Sequence, residues 1–132
     1  MTPLDIANQR LHNQRLSSPG FKKAGDLVKW LGAVQAQDYN AAKWALGLRI
    51  QNSTDDTIEE AFASGEILRT HIMRPTWHFV TPADIRWLLN LTASRMRTAS
   101  SYYCRKLELD DTVLKRGNRA LAKALLGGKR EG

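Results

Sequence analysis

Gln35 and Gln37 are two carboxamides two residues apart. They lie in the stretch Trp30 to Arg49, WLGAVQAQDYNAAKWALGLR, between one apolar stripe that runs in and another that runs out. With Asp38 and Tyr39 they hold positions where simple packing would place solvent-facing Lys or Glu. A carboxamide has no useful basicity near neutral pH, so Gln37 is no strong general base, but its carbonyl oxygen can orient a water molecule. That suffices only where the leaving group departs easily. A plainer use of such a pair is to satisfy loose backbone groups at a helix end.

The geometry asked of the neighbouring elements follows from the spacing. Residues two apart diverge on a helix and point the same way on an extended or turning backbone. Both amides project together if the preceding helix ends near Val34. That helix is expected from about Gly25, with Leu27, Val28, Leu31 and Val34 as its buried stripe. A third helix follows, with Asn40 suited to its N-cap. Ala41, Trp44, Ala45 and Leu48 recur at helical spacing and form its expected core face, with Trp44 in the core. Asp38 is adjacent to the pair and is a second group that could activate water, although a backbone neighbour tends to point away and an Asp here also suits a helix cap.

Upstream, Pro3 opens a helix to about Leu16 with Leu4, Ala7 and Leu11 inward, and Ser17-Ser18-Pro19-Gly20 is a turn. Downstream, Ser53-Thr54-Asp55-Asp56 starts a short acidic helix that buries Ile58, Ala61 and Phe62 and stops near Gly65. The period then changes from 3.6 to 2. Over Ile67–Met73, Leu68, Thr70 and Ile72 share one face and Arg69, His71 and Met73 the other. Arg74-Pro75-Thr76 interrupts, and Trp77-His78-Phe79-Val80 resumes the run, which predicts a hairpin. Helices followed by a hairpin is the order of a winged helix, a fold that presents a helix and the wing to nucleic acid. Arg69 and Arg74 flank the hairpin and are expected phosphate contacts. His71 shares the Arg69 face. His78, between Trp77 and Phe79, is a polar candidate whose plainer role is a hydrogen-bonded structural histidine. Tyr39 is a candidate stacking residue or part of the packing.

Thr81-Pro82-Ala83-Asp84 starts a long helix, with a stripe of Ile85, Leu88, Leu89, Thr92, Met96, Ala99 and Tyr103. Asp110 or Asp111 caps a last helix with Leu114, Leu121 and Leu125 inward, ended by Gly127-Gly128. The expected class is therefore mainly α with a short β-hairpin. Residues 1–81 form a winged-helix domain, and residues 82–132 are connector helices leading toward a further unit, as in a fragment or truncated product.

The 132 residues carry a net charge of +7, with a sequence pI of about 9.9, a lean toward polyanionic partners. The charge is uneven: seven Lys/Arg against three Asp/Glu in residues 1–53, two against five in 54–82, and eleven against five in 83–132. Cys104 is the only cysteine, which excludes an intrachain disulfide and a cysteine metal cluster. No His/Asp/Glu cluster has ligand spacing, and Gly127-Gly128-Lys129 lacks the rest of a phosphate loop, so no metal and no cofactor are expected. Without a signal peptide or a span of ~18–20 apolar residues, a soluble cytoplasmic protein is expected.

Two blocks, LGAVQAQDYNAAKWALGLR and GEILRTHIMRPTWHFVTPADIRWLL, resemble in order the N-terminal part of the AlkZ-like winged-helix DNA glycosylases, the group that also includes the YcaQ-like proteins. The resemblance runs from about Leu11 to Gly128. It implies tandem winged-helix units, a β-rich C-terminal portion, double-stranded DNA as partner, and excision of alkylated or crosslinked purines. The family signature is Gln, an apolar residue, then Gln or Asp, and Gln35-Ala36-Gln37 matches its Gln-type form. This chain departs from the family in lacking the later units. By this resemblance Gln35 and Gln37 are the catalytic residues; Asp38, Tyr39, Arg69, His71, Arg74 and His78, read from their places around the motif and the hairpin, are the candidate DNA-binding residues. An N7-alkylated purine is cationic and leaves readily, which matches what two carboxamides can achieve. The alternatives are a non-catalytic winged-helix DNA-binding module or regulator, and a protein-interaction module favoured by the acidic stretch beside the wing.

Overall fold

The computed structural model describes residues 1–73 and 76–126. Arg74 and Pro75 of the expected wing turn, and the Gly127-Gly128 stop, lie outside the described residues. The chain divides into two compact units, Met1–Ala93 and Ser94–Gly132. The first contains α1 (Pro3–Asn13), α2 (Ala24–Leu31), β1 (Val34–Gln35), α3 (Tyr39–Gly47), α4 (Asp55–Ala63), β2 (Leu68–His71), β3 (Trp77–Val80) and the start of α5 (Ile85–Lys106). The second contains the rest of α5 and α6 (Asp111–Leu126).

Local chemistry sets the helix starts. Thr2 and Asp5 form a reciprocal capping box on α1, and Thr54 and Thr57 do the same on α4, each satisfying amide protons that a helix leaves orphaned. Before α5, the Thr81 hydroxyl donates to Asp84 Oδ2 at 2.7 Å, and Asp84 Oδ1 accepts from the Trp87 indole at 2.7 Å. These bonds, the indole first, hold the Asp84 carboxyl below its ordinary range. In the second unit, Asp110 accepts the Val113 amide at 2.8 Å and caps α6.

β2 and β3 form the expected antiparallel hairpin, pairing Leu68 with Val80, Arg69 with Phe79, Thr70 with His78 and His71 with Trp77. A third strand, β1, joins the other edge of β3, with Val34 opposite Phe79 and Gln35 opposite His78, so the sheet order is β1-β3-β2. Because side chains alternate across a sheet, Ile72 and Val80 pack with Leu88 on one face. Phe79, on the other face, is fully buried among Leu27, Val28, Ala42, Leu46, Ile58 and Ala61.

Several expectations are corrected. α2 ends at Leu31, three residues early, because Gly32 takes a left-handed backbone (φ +77°) that favours glycine and stops the helix. Val34 then packs on the core from a strand. α3 begins two residues early, capped by Asp38 rather than Asn40. Its buried face is Ala42, Lys43 and Leu46, so Trp44 stands 69% exposed instead of in the core. Lys43 occupies a core position because its ammonium is neutralised there, at 2.8 Å from Asp55 and 2.5 Å from Glu59. Leu4 and Leu11 of α1 are exposed, as are Leu89 and Tyr103 of α5 and Leu114, Leu121 and Leu125 of α6, since no described element covers them.

Candidate active site and nucleic-acid interface

The turn from β1 into α3 carries the carboxamide pair. Ala36 extends β1 by one ladder bond, its amide donating to Trp77 O at 2.7 Å. Ala36 is fully buried, and Gln35 and Gln37 on either side of it are exposed. This is the alternation of an extended chain, and it puts both carboxamides on the solvent side of a buried alanine.

The main chain then leaves the sheet, and the Gln37 side chain takes over one of its duties. Its Oε1 accepts the Trp77 amide proton at 3.2 Å, where a continuing strand would have supplied a carbonyl. For Gln37 the expected helix-end use is thus replaced by a strand-end use. A carboxamide oxygen has two lone pairs, so Oε1 retains one acceptor position. Asp38 Oδ1 accepts the Ala41 amide at 3.0 Å and caps α3. That bond holds the carboxylate at the helix start, where the dipole favours a negative charge.

The residues expected along DNA occupy distinct places. Arg69, from β2, donates from Nε to Ala36 O at 3.1 Å and from Nη2 to Gln37 O at 3.3 Å. Its guanidinium lies 4.7 Å from the Trp77 ring centre and 5.4 Å from that of Tyr39. Its charge is thus directed at two main-chain carbonyls and two aromatic faces. His71 is exposed and packs at a tilt against Trp77, with ring centres 4.0 Å apart. His78 is 4% exposed, with Nδ1 2.9 Å from Thr76 O, on the sheet face that also carries Gln35 and Thr70. Arg74 lies outside the described residues.

Tyr39 belongs to a network that no short motif reveals. Its ring packs edge-on against Phe62 and Phe79, and its hydroxyl donates to Glu59 Oε2 at 2.9 Å. Burial first, and then that hydrogen bond, raise the Tyr39 hydroxyl above the ordinary tyrosine range, which keeps the donor proton in place. Glu59 also accepts from Lys43, and the bonds from Lys43 and Tyr39 lower its carboxyl. Hydrogen bonds to Asp55 and then Glu59 raise the Lys43 ammonium. Glu66 Oε1 accepts the Gly25 amide at 2.7 Å in the first turn of α2. Three of the five carboxylates of the acidic stretch, Asp55, Glu59 and Glu66, therefore have partners within the domain. Trp77 completes the site, and its one sign in the sequence is its place at the start of the returning strand.

A mainly helical domain with a three-stranded antiparallel sheet ending in a hairpin is a winged-helix-like fold. A family model described as DNA glycosylase AlkZ-like matches residues 28–131, and the chain belongs to that family. Among solved structures, the DNA glycosylase AlkZ of Streptomyces sahachiroi is similar, with a TM-score of 0.50 and 28% identity over 56% of this chain. The match covers 20% of AlkZ, so the chain spans about a fifth of that protein's length. No curated protein matches.

Proposed function

We propose that this chain supplies the carboxamide site of a DNA glycosylase that hydrolyses the N-glycosidic bond of N7-alkylated or crosslinked purines in duplex DNA. The observation that carries this reading is the placement of Gln35 and Gln37, both exposed, on either side of the fully buried Ala36. An N7-alkylated purine already bears a positive charge. When its bond to the sugar breaks, the electron pair goes to the departing base and neutralises that charge, while positive charge develops on the deoxyribose. Carboxamide oxygens stabilise that cation, and the free acceptor position on Gln37 Oε1 orients a water for attack at the sugar carbon. No strong base is required because the base leaves readily. The same chemistry gives little help to a neutral, undamaged base. The exposed His71 on the wing face and the net charge of +7 support contact with the DNA backbone.

The test is excision from a duplex carrying one N7-methylguanine, by this chain and by any longer protein that contains it. Abasic sites are expected from the active form. Gln37→Ala should lower the rate by about 10²-fold or more with duplex affinity retained, the scale of losing one group that stabilises developing charge. A second reading, a non-catalytic winged-helix DNA-binding module, is favoured by one observation: Gln37 Oε1 already serves a structural bond to Trp77. It predicts duplex binding with steep salt dependence and no excision by any form.

A further inference from the structure

We propose that Arg69 is the positioning residue of this site, fixing the direction of Gln37 rather than contacting phosphate. The inference rests on the glycosylase reading for its catalytic meaning.

The carbonyls of Ala36 and Gln37 leave the ladder where the chain turns from β1 into α3. Arg69 takes both, from Nε at 3.1 Å and from Nη2 at 3.3 Å. Two donors of one planar guanidinium have a fixed mutual geometry, which a single ammonium lacks. Holding two successive carbonyls restrains the two peptide planes that flank Gln37, and so the direction of its Cα–Cβ bond. The guanidinium itself lies against the rings of Trp77 and Tyr39, and Tyr39 is held by Glu59. The contacts then close on themselves. Arg69 stacks on Trp77, the Trp77 amide binds the Gln37 side chain, and the Gln37 carbonyl binds Arg69. Displacing a reacting group by about 1 Å costs on the order of 10²-fold in rate, so a restraint of this kind has a kinetic signature.

The experiment compares wild type with Arg69→Lys and Arg69→Met in the protein as it exists, with two readouts. The first pairs duplex affinity, measured across salt concentration, with single-turnover excision of N7-methylguanine at saturating protein. The expected result is affinity within about twofold, an unchanged salt slope, and a rate lower by about 10²-fold in both variants. A loss of affinity with the salt slope smaller by about 1 and the saturating rate intact would make Arg69 a phosphate contact and overturn the proposal. The second readout is amide hydrogen exchange. The Trp77 amide should exchange at least about tenfold faster in both variants while Ala61 and Phe62 of α4 keep their protection, which shows the fold intact. Unchanged Trp77 protection overturns the proposal, as does faster exchange with an unchanged excision rate. If the wild type excises nothing, the glycosylase reading falls, and the exchange arm alone decides whether Arg69 fixes Gln37.

Discussion

Gln37 Oε1 accepts the Trp77 amide at 3.2 Å, so the central residue of the proposed chemistry is also the last rung of the β1–β3 ladder. Gln37→Ala removes that rung at a solvent-exposed place where water can substitute. The expected stability loss is about 0.5–1 kcal/mol, a typical net value for one hydrogen bond. Thermal melting followed by circular dichroism checks it. A small shift in Tm beside a large loss of excision would separate the chemical role of the side chain from its structural one.

Ala36 is the fixed point between the two carboxamides, with no surface exposed and a place in the main core cluster. Ala36→Leu should destabilise the domain by about 1–3 kcal/mol through overpacking. It should also displace both carboxamides, since they flank the residue that moves. Denaturant unfolding measures the first effect. Excision measured well below the variant's Tm measures the second.

The Lys43–Glu59–Tyr39 network sets an acid limit on stability. Lys43 first and Tyr39 second lower the Glu59 carboxyl from its ordinary value of 4.5 in the folded state. The unfolded chain therefore binds more protons than the folded one just below that value. The stabilisation is fully present above about pH 4.5 and is lost as pH falls through the lower folded value. Asp84 and Asp5, both lowered, act in the same sense. Glu59→Gln should melt at lower temperature than wild type near neutral pH, and its Tm should fall less steeply below about pH 4.5. A Tm series from about pH 3 to pH 7 on both proteins checks this.

Trp44 is 69% exposed on the outer face of α3. Trp44→Ser should change unfolding free energy by no more than about 0.5 kcal/mol, as surface substitutions do. A core tryptophan would instead cost about 3–5 kcal/mol on truncation. Chemical denaturation distinguishes the two readily.

The elements whose periodicity has a single reading were legible in the sequence. Leu68, Thr70 and Ile72 alternate with Arg69, His71 and Met73, and the hairpin forms with that facing. β1 was not legible, because two residues are too few to show a period and Leu31 and Val34 stand at helical spacing. Only the left-handed backbone of Gly32 turns one reading into the other. The buried face of α3 was hidden by Lys43, which reads as a solvent residue until its partners Asp55 and Glu59, 12 and 16 residues later, are in place. At the site, the separation of Gln35 and Gln37 was enough to expect a common direction from an extended backbone. The bonds from Arg69 come from 33 and 32 residues away and have no local signature. Its position beside the motif is a product of the fold.

β1 is an outer strand only two residues long. Beyond the burial of Ala36 and the packing of Val34, the segment that bears both carboxamides is joined to the rest of the domain by its short ladder with β3, the bonds to Trp77, and the two bonds from Arg69 of β2. Such an attachment can fray while Phe79 and the helices around it stay packed, at a free energy below that of global unfolding. Heat inactivation should therefore precede the melting transition, with recovery on cooling as the strand re-zips onto an intact scaffold.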